Sequence, residues 1–339
     1  MIRPGRSFHA PSIADGFPTR AAPSFSVVIA VHNGAGTIAP AIDSVLAQTV
    51  ASAQLIICDD GSTDDTEAAV GPYGDRITYL RKDRGGVASA WNVALEIAEG
   101  EFFAVLGADD VYEPERLEAL TELALARPDL DILCTDVVLE HHGDVVGRFT
   151  TGCPFEILNQ KAAILERCFC IAPATRRELL RTAGGFDESL RTGSDWECAI
   201  RLIHSGAAAG LVDEPLYRYR LEVGSLTSDR IGTLRDRISF LERAESSYEL
   251  DEAETAALEQ SLTRQRNALV LTEAEAALRA RARDARSRAL AAARRPGIAF
   301  GARASAVAAV IAPRAAGRIL ERRAQKTGTS RLVRSVPPA

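Results

Sequence analysis

From Phe25 onward the apolar residues gather in short runs rich in Val, Ile and Phe, separated by longer stretches where apolar positions recur at helical spacing. The runs FSVVIAV (25–31), QLIIC (54–58), RITYL (76–80), EFFAVL (101–106) and DILCT (131–135) read as strands. Between them the pattern predicts helices near 37–49, 63–71 and 87–99, and another from Pro114 to about Ala126. Strands alternating with helices of this length imply βαβ crossovers and a mainly parallel sheet flanked by helices on both faces, an α/β fold. Ligands of open sheets of this kind sit outside the carboxyl ends of the strands, so the residues just after each strand carry the functional interest.

Residues 136–229 keep mixed strand and helix signals with turn punctuation at Gly152-Cys153-Pro154, Gly184-Gly185 and Glu214-Pro215, and read as the second half of one domain over 25–229. Beyond it the pattern changes. Leu234, Ile238 and Leu241, then Leu258, Leu262 and Leu269, fall at helical spacing among charged residues, which predicts a C-terminal helical appendage over 230–339. Residues 1–24 hold arginines and prolines without an apolar run and read as a disordered leader, not a signal peptide.

At 339 residues and 46% hydrophobic, the chain is long enough for a sizeable core. The six cysteines (Cys58, Cys134, Cys153, Cys168, Cys170 and Cys198) lack a C-x-x-C spacing or a nearby His cluster, which argues against a zinc site or a disulfide framework. The longest weakly apolar stretch, Ala304 to Pro313, is about half the ~20 residues a spanning helix needs, so the expected compartment is the cytoplasm. A net charge of -6 argues against a nucleic-acid partner. That total hides an asymmetry: residues 281–339 carry +12 and the remainder -18. The basic end reads either as a solvated tail or as a peripheral contact with the inner face of the membrane.

Three strand ends bear chemistry. The second strand leads into CDDGSTDDT, which places Asp59 and Asp60 in a Gly-Ser-Thr turn; they read either as acceptors for a ligand's N–H or hydroxyl groups or as a turn with Ser62 or Thr63 capping the next helix. Asp109 and Asp110 follow the strand EFFAVL. Hard divalent cations are held by one or two carboxylates while substrate phosphates fill other positions, so two strand-end carboxylate pairs suggest a metal-nucleotide site; the other reading of Asp109-Asp110 is acidity at a helix start. The backbone N–H groups of Arg84-Gly85-Gly86, at a helix start, suit a ligand's phosphates.

The ordered set SVVIAVHNG, IICDDGSTDDT, RGGVASAWNVALEIAEGEFFAVLGADDVYEPERLE and GGFDESLRTGSDWECAIRL resembles glycosyltransferase family 2, the inverting GT-A (Rossmann-like) enzymes, over about residues 25 to 225. The resemblance implies that Asp60 contacts the nucleotide base in a pocket lined by Ala30, His32 and Asn33; Gly86, through its backbone N–H, and Arg220 read as further contacts to the donor phosphates. It implies that Asp109 and Asp110 serve the ribose and an Mn2+ or Mg2+ ion bridging the diphosphate, and that Asp195 is the general base. The function implied is sugar transfer from a nucleoside diphosphate sugar to a hydroxyl acceptor, in cell-surface polysaccharide or glycolipid synthesis. The alternative is a non-catalytic nucleotide-binding or scaffold protein of the same fold.

The sequence departs from the family pattern at Gly107, where a carboxylate is usual, at Ser194 before the base, and at Glu222, where a His often stands. In YRYRLEVGSLTSD (217–229), Arg218 and Arg220 read either as phosphate contacts or as solvated residues of an edge strand. Trp196 reads as a stacking surface for the acceptor or as core, Trp91 as packing, and His141-His142-Gly143 as a hairpin turn. No G-x-S-x-G elbow, Walker loop or G-x-G-x-x-G follows the first strand, which counts against hydrolase, kinase and dehydrogenase chemistry.

Overall fold

The computed structural model describes residues 6–10, 21–221, 229–298, 300–311 and 316. Glu222 and, within the basic segment, residues 299, 312–315 and 317–339 lie outside them. The chain divides into two compact units, residues 1–222 and residues 223–336.

The first unit runs β1 (Phe8–His9), β2 (Phe25–Val31), α1 (Ile38–Leu46), β3 (Gln54–Asp60), α2 (Thr66–Val70), β4 (Thr78–Lys82), α3 (Val87–Ile97), β5 (Phe102–Gly107), β6 (Val111–Tyr112) and α4 (Arg116–Ala126). It continues with β7 (Ile132–His141), β8 (Asp144–Arg148), α5 (Phe149–Gly152), α6 (Gln160–Glu166), β9 (Ala174–Arg176), α7 (Arg177–Thr182), α8 (Ser194–His204) and β10 (Ala209–Arg220). All the strands join one sheet in the order β1-β10-β7-β9-β5-β2-β3-β4, with β6 on β10 and β8 on β7. The segment β5-β2-β3-β4 is parallel, as is β7 with β10, while β9 enters antiparallel between β5 and β7.

β2 is apolar apart from Ser26 because the sheet is covered on both faces: Val27, Val28 and Ile29 are fully buried. From β2 the chain winds one way to β3 and β4 and the other way to β5, so β2 marks the switch point where open sheets form their crevice. α1 packs by Ile38, Ala41, Ile42 and Val45, an i, i+3, i+4, i+7 stripe, as its sequence predicts.

Several boundaries move for identifiable reasons. The helix expected over 63–71 is shortened to α2 because Thr63 and Asp64 are held in the preceding turn, the Thr63 N–H by Asn33 Oδ1 and the Ala35 N–H by Asp64 Oδ2. The strand expected at 76–80 lies two residues later, paired Asp59 with Arg81 and Asp60 with Lys82. β7 outruns its expected end at 135 and turns at His142-Gly143, both at positive φ, into β8, the hairpin foreseen there. The leader reading fails for residues 6–10. Phe8–His9 pair with Val212 and Leu211 at the sheet edge, and Arg6 bonds Glu122 Oε2 at 2.8 Å and Glu214 Oε1 at 2.7 Å. Burial of Arg6 among carboxylates fixes the segment, a partnership across more than a hundred residues that no local pattern announces.

The second unit consists, among its described residues, of α9 (Arg230–Ser247), α10 (Glu252–Arg279), α11 (Ala285–Arg294) and α12 (Phe300–Ile311). Asp251 and Glu254 form a reciprocal capping box at the start of α10, and Asp229 caps α9 through the Gly232 N–H. Leu234, Leu241, Leu258 and Leu262 are buried and Ile238 and Leu269 half-buried, and alanines form much of the remaining core: Ala277, Ala285, Ala289 and Ala309 cluster with Leu278. Among the described residues no helix is long and apolar enough to cross a membrane.

Candidate active site

The carboxyl ends of β2, β3 and β5 lie side by side, Ala30 opposite both Cys58 and Gly107. His32 Nδ1 hydrogen-bonds the Asp60 carbonyl at 3.0 Å. Asn33 adopts a left-handed backbone (φ 53), tolerated by a short amide side chain, and its N–H donates to Ser62 Oγ at 2.9 Å. Gly34 N donates to Thr66 Oγ1 at 2.9 Å. The Gly-Ser-Thr turn therefore fastens the loop after β2, and Ser62 and Thr66 serve that loop with their side-chain oxygens.

The two aspartates of the turn differ. Asp59 is structural: Oδ1 accepts from the Ser62 N–H at 2.7 Å and Oδ2 from the Tyr79 hydroxyl at 2.8 Å. Asp60 Oδ1 accepts from Lys82 Nζ at 2.9 Å and Gly85 N at 2.7 Å, and Oδ2 accepts from Gly86 N at 2.7 Å. Burial pushes the Asp60 carboxyl up, but the Gly85 N–H, the Lys82 ammonium and the Gly86 N–H together hold it below its ordinary value. A carboxylate accepts about four hydrogen bonds, so three leave Asp60 capacity for a ligand donor. The same bonds correct the expectation for Gly86: its N–H, like that of Gly85, points to Asp60 and is not offered to a phosphate.

At the end of β5 the Asp110 N–H closes a turn onto the Gly107 carbonyl. Asp110 is 3% exposed, with Oδ2 accepting from the Tyr217 hydroxyl at 2.6 Å and Oδ1 from Arg220 N at 2.8 Å. Burial, then the neighbouring Asp109 charge, pushes its carboxyl up to about 7. A Cβ added at Gly107 would collide with Asp110 Oδ2, so this buried carboxylate occupies the volume a side chain at 107 would need. Asp110 is thereby engaged internally, and Asp109 is half-buried on the same turn. Among the described residues no three His, Cys, Asp or Glu side chains converge as a metal cage. A single carboxylate plus substrate phosphates still matches the way Mg2+ and Mn2+ are commonly held, so the donor set fits such an ion.

Arg218 is removed from the phosphate contacts, because its guanidinium bridges Glu140 at 2.8 Å and Glu113 at 2.6 Å. Arg220 enters the site through its backbone N–H. Its side chain lies 3.9 Å from Glu140 and is partly exposed, which keeps it a candidate for the donor.

Asp195 is half-buried in the first turn of α8 behind Gly193 in the left-handed region (φ 77), where the helix dipole favours its charge. The loop before it is tied to α3: Asn92 Oδ1 accepts from Phe186 N at 2.8 Å and Nδ2 donates to Glu188 at 2.8 Å. Trp196 is no acceptor platform. It is 5% exposed and its Nε1 donates to the Ile164 carbonyl at 2.6 Å, so it fixes α8 against α6. Trp91 packs on Phe186 with ring centroids 4.9 Å apart, as expected. Sequence reasoning missed Tyr79, Lys82 and Tyr217; the arginines drew attention in YRYR, while the tyrosine between sheet and turn makes the contact.

Residues 26–180 match the family model described as glycosyl transferase family 2. This segment is a family 2 glycosyltransferase domain. Asp195 and Arg220 lie beyond the matched segment. An uncharacterized glycosyltransferase of Rickettsia prowazekii is 34% identical over 154 residues, 45% of this chain and 42% of that protein. The Escherichia coli UDP-Glc:alpha-D-GlcNAc-diphosphoundecaprenol beta-1,3-glucosyltransferase WfgD is 32% identical over 159 residues, 46% of this chain and 61% of WfgD. The chain thus spans roughly two fifths to three fifths of these relatives' length. The mannosyltransferase PcManGT from Pyrobaculum calidifontis, solved with GDP-Man and Mn2+, superposes with a TM-score of 0.59 at 19% identity, covering 94% of this chain and 89% of that one. The likeness shows that the family 2 domain has the GT-A fold.

Proposed function

We propose that the protein is a metal-dependent, inverting glycosyltransferase that moves a sugar from a nucleoside diphosphate donor to a hydroxyl acceptor in polysaccharide or glycolipid synthesis. The observation that carries the reading is the convergence, at the switch point of the sheet, of the ionised Asp60 at the end of β3 with the Asp109 turn at the end of β5. The relatives named for sugar transfer and the neighbour holding GDP-Man and Mn2+ support it.

In this reading Asp60 accepts from a base N–H with its remaining lone pair, beside Ala30, His32 and Asn33. Asp109 would hold the divalent cation, whose contribution is to neutralise charge growing on the departing diphosphate. The Arg220 guanidinium lies within the same turn system and offers paired donors to phosphate oxygens. Asp195 takes the proton of the attacking hydroxyl, and direct displacement by that oxygen inverts the anomeric centre without a covalent sugar intermediate. Replacing a general base typically slows transfer about 100- to 10,000-fold. Asp195→Asn is therefore expected to lose at least about 100-fold in kcat while donor binding, measured by calorimetry, stays at the parent value. Undiminished transfer by this variant would remove Asp195 from the mechanism.

A further inference from the structure

The loop between α7 and α8 is gripped from two sides. Its turn is made by Gly184 (φ 84) and Gly185 (φ 71), both in the left-handed region. From α3, Asn92 brackets Phe186: its Oδ1 accepts from the Phe186 N–H at 2.8 Å, and its Nδ2 donates to the Phe186 carbonyl at 2.9 Å and to Glu188 Oε1 at 2.8 Å. From α8, the Arg201 guanidinium donates to the carbonyls of Ala183 and Gly185, each at 2.6 Å, and is braced by Glu197 at 2.8 Å. The buried Phe186 ring packs on Trp91 of α3 and Phe103 of β5, with centroids 4.9 Å and 6.1 Å away. A Cβ at Gly185 would strike Asn92 Oδ1, so glycine is what lets the amide come this close.

These contacts join two parts of the site. α3 starts behind Gly86, whose N–H, with that of Gly85, holds the Asp60 carboxylate. α8 carries Asp195 in its first turn and Arg201 in its last. Asp60, α3, the loop and α8 therefore form one continuous mechanical chain. Bonding both the N–H and the carbonyl of Phe186 fixes the loop against α3 in rotation as well as in distance. The planar guanidinium of Arg201, with two bonds to the same loop, passes that constraint to α8.

We propose that Asn92 is a positioning residue: by stapling the Gly185–Glu188 segment to the helix that starts at the donors of Asp60, it sets where α8 carries Asp195 relative to the nucleotide side of the site. The inference rests on the readings of Asp60 and Asp195 above and adds what holds the two in register. Asn92 acts through the loop and Arg201, without touching substrate. A misplacement of about 1 Å at the reacting atoms costs on the order of 100-fold in rate, so the effect falls on the chemical step and leaves donor binding alone.

The test uses the full chain with Mn2+, water as the acceptor, and release of UDP or GDP from a panel of their sugars as the readout. Donor KM, calorimetric affinity for UDP and GDP, and melting midpoint are recorded for each variant. Asn92→Asp keeps an acceptor for the Phe186 N–H but loses both donated bonds and sets two carboxylates together. It is expected to lower kcat about 100-fold with donor KM and nucleotide affinity at the parent values. Adding Glu188→Gln supplies an amide from the other side and is expected to recover about tenfold of that loss, as contacting pairs do. Arg201→Lys, which cannot bond both carbonyls in one plane, is expected to show the same fall in kcat at unchanged donor KM.

An Asn92→Asp chain that melts earlier but turns over at the parent rate would overturn the proposal, and so would a double variant that recovers none of the rate. A loss of nucleotide affinity as large as the loss of kcat would also overturn it, by placing Asn92 in the donor pocket. Where Asn92→Asp does not fold, Arg201→Lys decides: a parent kcat in that chain sinks the proposal. A parent chain that releases nothing from any donor, or an Asp195→Asn chain that releases as fast as the parent, would overturn the reading of the site itself and this inference with it.

Discussion

Asp60 keeps its charge at the end of a buried strand because three donors converge on it: two backbone N–H groups and the Lys82 ammonium. Its folded pKa is depressed below the ordinary 3.8, so the stability it contributes is fully present above that value and is lost as pH falls through the folded pKa. Asp60→Asn should therefore lower the melting midpoint near neutral pH and flatten its acid decline below about pH 4. Midpoints measured from pH 6 to 2.5 for both chains check this, and parallel curves would show that Asp60 contributes no charge-linked stability. Trp196 makes the opposite kind of prediction. Trp196→Phe removes the donor to the Ile164 carbonyl and is expected to cost about 1 to 3 kcal/mol by denaturant titration, with the acceptor KM unchanged. A raised acceptor KM at undiminished stability would return Trp196 to the acceptor site.

At the level of elements, strand interiors were legible because apolar runs flanked by turn residues have one physical meaning in a sheet covered on both faces. Ends were less so. β4 sits two residues late because pairing with β3 carries Lys82 to Asp60, a tertiary contact that RITYL alone does not encode. The carboxylate pairs after β3 and β5 were legible as chemistry, but which member turns inward was not. The partner that decides it for Asp110, Tyr217, is 107 residues away. β1 is the clearest departure: a segment lacking an apolar run becomes an edge strand because Arg6, with a 3% exposed side chain, reaches Glu122 and Glu214. Arg6→Ala leaves Glu122 buried without its cation, an imbalance of about 3 kcal/mol. A denaturant midpoint equal to the parent's would restore the leader reading for these residues.

Over the whole molecule, the net charge of -6 is a sum of unlike parts, +12 over residues 281–339 and -18 elsewhere. Some of the acidity has a structural place: Asp59 and Asp110 hold turns, Asp60 is held by Lys82, Gly85 and Gly86, and Asp195 lies in the first turn of α8. The sheet order makes β2 the switch point, and the family 2 domain has its candidate donor residues at that strand's carboxyl end. Release of nucleoside diphosphate from a panel of UDP- and GDP-sugars, with Mn2+ or Mg2+ and then with excess chelator, tests the central claim most directly. The account predicts turnover of at least one donor that the chelator abolishes. No release from any donor with either ion, or release indifferent to the chelator, would contradict it.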